Sequence, residues 1–186
     1  MTERDRDALR ACEVGLQHMW KGEVDEAIAA YDDALARAGA EENRELITIR
    51  KAEALIAVER DGPEVSALAA IVMRRRSSRH VYMAATVLLR RYSNLEDRRR
   101  AIFYGDIASA AVVDLDDAFA RAALLNNLGV VLVEDSHFER AIRAFDDALA
   151  CLKTQTDHPH ADPLRCSATL NLGGAKILSD VYEEGI

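Results

Sequence analysis

The sequence predicts an all-α protein assembled from internal repeats, and three observations carry that expectation. The segment Gly22–Ala36, GEVDEAIAAYDDALA, returns as Ser136–Ala150, SHFERAIRAFDDALA, 114 residues later, with eight of fifteen positions identical. Every stretch longer than about ten residues places its apolar side chains at helical spacing. Composition agrees: Ala, Leu, Arg, Glu and Asp are abundant, while 186 residues hold only three prolines and nine glycines.

The repeat is built for packing. Ala27, Ile28, Tyr31 and Ala34 fall at i, i+1, i+4 and i+7, one face of a helix, and Ala141, Phe145 and Ala148 repeat it. The same offset carries Gly15 onto Gly129. Small residues let helix axes approach closely, and one aromatic fills the remaining gap. A third copy follows at an offset of 44, where Leu125–Ile142 aligns with Thr169–Ile186: Asn127 meets Asn171, Leu128 meets Leu172, Gly129 meets Gly173 and Phe138 meets Tyr182.

The middle of the chain, roughly 41–117, lacks this signature but still reads as helices over Glu45–Arg60, Pro63–Arg75, Arg79–Tyr92 and Leu95–Val113. The expected breaks are Asp61-Gly62-Pro63, Ser77-Ser78 and Ser93-Asn94. Pro63 suits a first helical turn, and Asn94 before Leu95-Glu96-Asp97 suits an N-cap.

These segments resemble the tetratricopeptide repeat family, through Val14-Gly15 with Ala27, Tyr31 and Ala34, and Leu128-Gly129 with Ala141, Phe145 and Ala148. The family's early Trp and closing Pro are absent, with Gly39 and Lys153 at the place of the Pro, and three periods of 38 exceed the 34-residue standard. The resemblance implies antiparallel helix pairs coiled into one right-handed superhelical solenoid. Four pairs are expected, roughly 5–38, 41–76, 78–114 and 117–153, with a fifth begun at 163–186. Because the last copy stops at Ile186 in mid-motif, the chain reads as the N-terminal part of a longer protein. Leu170, Leu172, Ile177, Leu178 and Tyr182 would then be uncovered, and a homodimer through this end is expected.

Bulk numbers narrow the setting. Met1–Arg10 is charged, no signal peptide follows, and no apolar run approaches a membrane span. Cys12, Cys151 and Cys166 are odd in number and widely spaced, which fits reduced thiols in a cytoplasm. The net charge of −8 hides a band of nine arginines between Arg74 and Arg100 that is +7 on its own, against −15 for the remainder.

The resemblance implies a protein- or peptide-binding module with a regulatory or assembly role, and no enzymatic one. First helices of each pair would line a concave groove. Its candidates are Leu9, Cys12, Leu16 and Met19; then Ala123, Asn126, Asn127, Val130 and Val133; then Leu170, Asn171, Gly174 and Ile177. Long-repeat members such as kinesin light chains and bacterial peptide-sensing regulators have similar LNNLG-like segments whose asparagines grip peptide. An amide suits that task because it both donates and accepts. The other reading of Asn127 and Asn171 is a bridge between neighbouring helices.

The second candidate is the arginine band, Arg74, Arg75, Arg76, Arg79, Arg98, Arg99 and Arg100. It reads first as a solvated face paired with the acidic remainder, then as a surface for an acidic protein. A ligand-sensing or nucleic-acid-associated regulator is the alternative function, though nucleic acid is disfavoured because only Tyr82 and Tyr92 interleave the arginines. No cofactor or metal is expected. His158-Pro159-His160-Ala161-Asp162, with Cys166 nearby, reads as a polar loop beginning at Thr154-Gln155-Thr156-Asp157 rather than as a ligand set. Asp32-Asp33 and Asp146-Asp147 recur with the repeat on helix edges and are no catalytic dyad. Trp20 reads as packing, with a ligand anchor as the alternative.

Overall fold

A computed structural model of the chain describes residues 2–155 and 157–184. Among them are nine α-helices and no strand: α1 Glu3–Lys21, α2 Val24–Arg37, α3 Glu41–Ala57, α4 Pro63–Arg74, α5 Ser78–Asn94, α6 Arg98–Val112, α7 Ala118–Glu134, α8 Phe138–Leu152 and α9 Ala161–Glu183, with a 3₁₀ turn at Val113–Leu115. The fold is all-α. Two compact units, Met1–Val87 and Leu88–Ile186, divide within α5.

In the first unit α1 packs on α2 and α3, α2 on α3, and α3 on α4. Its core joins Ala8 and Cys12 of α1 to Ala27, Tyr31 and Ala34 of α2 and to Ile47 and Ala54 of α3. In the second, α7 packs on α6, α8 and α9, and α8 on α9. Ala122, Leu125, Ala148, Leu152 and Ala161 form a cluster there, with Phe119 and Leu164 against it.

Four helix ends close in one manner. At Gly22, Glu59, Glu96 and Ser136 the backbone turns to positive φ, between 50 and 80° in each case (77, 55, 57 and 59°). The next residue's N–H reaches back five residues: Glu23 to His18, Arg60 to Leu55, Asp97 to Tyr92 and His137 to Leu132, at 2.8–2.9 Å. This is the left-handed helix stop, which satisfies carbonyls that the helix would otherwise leave orphaned. It follows α1, α3, α5 and α7. Only the first copy uses glycine, so the turns in the middle leave no trace in composition.

Helix starts differ from the sequence expectation in two places. Asp97, not Asn94, caps α6: its carboxylate accepts the Arg100 N–H at 3.1 Å. Asn94 is instead the last residue of α5, because the stop at Glu96 needs α5 to run up to it. α3 begins at Glu41 rather than Glu45, where Asp5 of α1 accepts the Gly39 and Ala40 N–H groups at 3.0 and 2.9 Å and so fixes the backbone entering the helix. Pro63 opens α4 as expected.

The third difference concerns α9. It continues as one helix through Ser179–Glu183, the stretch aligned with the turn at Asp135–His137, so the fifth copy's expected second helix does not begin there. Ser179 is buried and Tyr182 lies against Phe138, 5.6 Å between ring centroids, which holds this last part to α8. Ala161 and Asp162, expected in a loop, form the first turn of α9. Gly185, Ile186 and Thr156 lie outside the described residues.

Candidate functional site

The packing of glycine on an aromatic ring builds the site. In both copies the ring is fully buried, Tyr31 against Gly15 and Phe145 against Gly129. A Cβ at either glycine would fall 2.5 Å from the ring, far inside the 3.5–4 Å of ordinary carbon contact. Any side chain at these positions would therefore force the ring to move. Tyr31 differs from Phe145 only by a hydroxyl that is buried without a partner, and burial pushes its phenol pKa up.

Where α9 leans on α7, Phe145 floors a cleft of about 190 Å³ walled by Val130, Val133 and Glu134 of α7 and Leu170, Asn171, Gly174, Ala175 and Leu178 of α9. Five of the thirteen candidate groove residues, Val130, Val133, Leu170, Asn171 and Gly174, line it. Phe145, Glu134, Ala175 and Leu178 were missed. In sequence Phe145 reads as repeat packing, and Leu178 as one of the apolar residues left uncovered near the last copy's end. The volume is below the 300–1,000 Å³ of small-molecule sites, so the cleft is sized for one or two side chains of a larger ligand. Its lining is apolar apart from one amide and one carboxylate.

Asn171 donates its Nδ2 to Oδ1 of Asn126 at 3.0 Å, bridging α9 and α7. Sequence alignment pairs Asn171 with Asn127, but its partner in space is Asn126, which is buried. Asn127, one residue and about 100° further round α7, points to solvent away from this contact. Ile177 is exposed but does not line the cleft. In the first unit Cys12 is buried in the core, and the other three candidates, Leu9, Leu16 and Met19, are half-buried. Burial also pushes the Cys12 thiol pKa up.

The arginine band falls in two places. In the first unit Arg74 and Arg76 meet Glu41 at 3.1 and 3.4 Å, and lie 3.8 and 4.0 Å from Glu45. Glu45 is buried and pairs with the buried His80 at 3.1 Å. Arg75, which ends α4 at φ 49°, and Arg79 are exposed. In the second unit Arg98 faces Glu134 at 3.8 Å, and Arg100 meets Asp97 at 2.7 Å while covering the Tyr92 ring at 4.8 Å. Tyr92 stacks on Tyr104, an aromatic contact that sequence spacing did not suggest. Four of the seven arginines thus have acidic partners within the chain, and Arg99 is exposed.

Other candidates resolve simply. Trp20 is 78% exposed, so it does not pack as expected; it is on α1's outer side, one residue before the closing Lys21. Asp32 and Asp33 bond Lys51 and Arg37, at 2.6 and 2.8 Å. His158 stacks on Phe119, 3.6 Å between centroids. Among the described residues no group of three or more His, Cys, Asp or Glu could hold a metal ion, and no helix is long and apolar enough to cross a membrane. Compared with protein-family models and with curated proteins, the chain matches none.

Proposed function

We propose that this chain is a non-catalytic cytoplasmic module that holds a protein or peptide in the cleft between α7 and α9, in a regulatory or assembly role. In this reading the helix pairs form a right-handed solenoid of tetratricopeptide type. The observation that carries it is the cleft itself. It offers apolar walls for a ligand side chain, and Asn171 keeps its Oδ1 to accept a backbone N–H from the ligand. A ligand of that kind would also displace water from Val130 and Leu170, which are 36 and 70% exposed. Aliphatic burial of this order contributes about 1.5–3 kcal/mol per side chain.

A pull-down with the full chain supplies the partner, and tiled peptides of it supply the segment. Titration then compares Val130→Glu, Leu170→Glu and Asn171→Ala with the parent. Loss of at least about 5-fold in affinity for each glutamate variant, about 1 kcal/mol or more, is expected. Unchanged affinity in these variants, combined with loss in Arg75→Glu or Arg99→Glu and a steep salt dependence, would instead favour an arginine-dependent regulator.

A further inference from the structure

Glu134, the last residue of α7, is the one charged side chain that lines the cleft. Among the described residues its only ionic partner is Arg98, whose Nε lies 3.8 Å from Oε2, beyond hydrogen-bond length. That Nε is buried and makes no hydrogen bond, while Nη1 of Arg98 donates to the Glu96 carbonyl at 3.3 Å. The pair is loose, and the carboxylate keeps its acceptor sites. Its side chain is 43% exposed, so water serves those sites while the cleft is open. A ligand lying across Val130 and Leu170 would remove that water. Covering a carboxylate without supplying a donor costs affinity, whereas a cationic donor restores the lost bonds in charge-assisted form.

We infer that the cleft selects a basic peptide, one in which Lys or Arg lies close in sequence to the apolar residue that fills the cleft. This selectivity presupposes that the cleft holds a peptide, as proposed for it. The amide and the carboxylate stand at opposite ends of the cleft, with Val130 midway. Asn171 bonds Asn126, and Glu134 follows Asn126 by eight residues of α7, a rise of about 12 Å. An extended chain advances about 3.3 Å per residue, so roughly three or four residues separate the N–H taken by Asn171 from the cation taken by Glu134. The apolar side chain falls between them. An acidic peptide would bring its charge against Glu134 and is rejected by the same group. The chain's net charge of −8 steers ligands in the same sense.

A displayed library of random heptapeptides, selected on the full chain and counter-selected on Val130→Glu, supplies probes that use the cleft. Enrichment of Lys or Arg near an apolar residue is expected. One enriched peptide is then fluorescently labelled, and anisotropy compares it with versions carrying norleucine or Glu in place of its cation. Norleucine should weaken binding by at least about 5-fold, and Glu by more. In Glu134→Gln the basic and norleucine peptides should bind within about 2-fold of each other. Enrichment of acidic peptides, equal binding of the basic and norleucine peptides, or a preference that survives Glu134→Gln would overturn the selectivity and leave the cleft as the binding site. Failure to enrich any peptide, or a dimer in light scattering that Val130→Glu dissolves, would overturn the cleft reading and the selectivity together.

Discussion

The glycine–aromatic contact gives a comparison in which one substitution should act with opposite sign at two aligned positions. Gly129→Ala and Gly173→Ala each place a methyl on a helix interior, and each gains the same helix propensity, about 0.8–1 kcal/mol. They differ in what the methyl meets. At Gly129 it would lie 2.5, 2.7 and 2.9 Å from Cε1, Cζ and Cδ1 of Phe145, a ring with zero exposure, so the ring would have to retreat by about 1 Å against its packed neighbours. Overpacking of that kind costs about 1–3 kcal/mol. At Gly173 nothing lies within 4 Å. Gly173→Ala should therefore stabilise by about 0.8–1 kcal/mol, and Gly129→Ala should destabilise by up to about 2 kcal/mol. Because propensity cancels, the difference between them, about 1–3 kcal/mol, isolates the packing cost. Urea unfolding followed by circular dichroism measures it, supported by melting-temperature shifts of roughly 2–4 °C per kcal/mol for a chain of this length. Phe145→Leu should abolish most of the Gly129→Ala penalty in a double-mutant cycle. Equal stabilisation by both alanines would refute the reasoning, since the ring would then be free to move.

Glu59→Gly, Glu96→Gly and Ser136→Gly should each stabilise by about 0.5–1 kcal/mol, because these residues hold the left-handed conformation that Gly22 adopts without strain; unfolding midpoints check it. Tyr31→Phe should stabilise by about 1 kcal/mol by removing a buried hydroxyl without a partner, and a melting point below the parent's would contradict that account. The Asn126–Asn171 bridge should give a coupling of about 0.5–1.5 kcal/mol in an alanine double-mutant cycle; additive losses would mean the amides do not act together. Asp5 is the pH-sensitive group. The Thr2 hydroxyl, then the Ala40 and Gly39 N–H groups, hold its carboxyl well below the usual carboxylate range. Its folded pKa thus lies below its unfolded one, so its contribution is complete above about pH 5 and fades as acid protonates the unfolded chain first. Asp5→Asn should lower stability at pH 7 and flatten the decline below pH 5 in acid-unfolding curves.

The helical class, the two outer repeat copies and the glycine–aromatic packing within them could be read from the order of residues alone. Those features are written in side chains whose size decides how close two helices can come. Five residues that line the cleft were legible for the same reason, since Val130, Val133, Leu170, Asn171 and Gly174 lie close to aligned glycines. Tertiary structure decided the rest. The left-handed stops at Glu59 and Glu96 use residues that carry no turn signal, because the bonds back to Leu55 and Tyr92 hold them there. The entry into α3 is held by Asp5, 34 and 35 residues away from the Gly39 and Ala40 N–H groups whose bonds it accepts. Asn171 chose Asn126 over Asn127 because a step of one residue rotates a side chain by about 100°, and only one of the two faces α9. The arginines met carboxylates that were distant in sequence, Glu41 and Glu45 for Arg74 and Arg76, and Glu134 for Arg98. Composition records how much charge a chain carries, but folding chooses the neighbours that neutralise it.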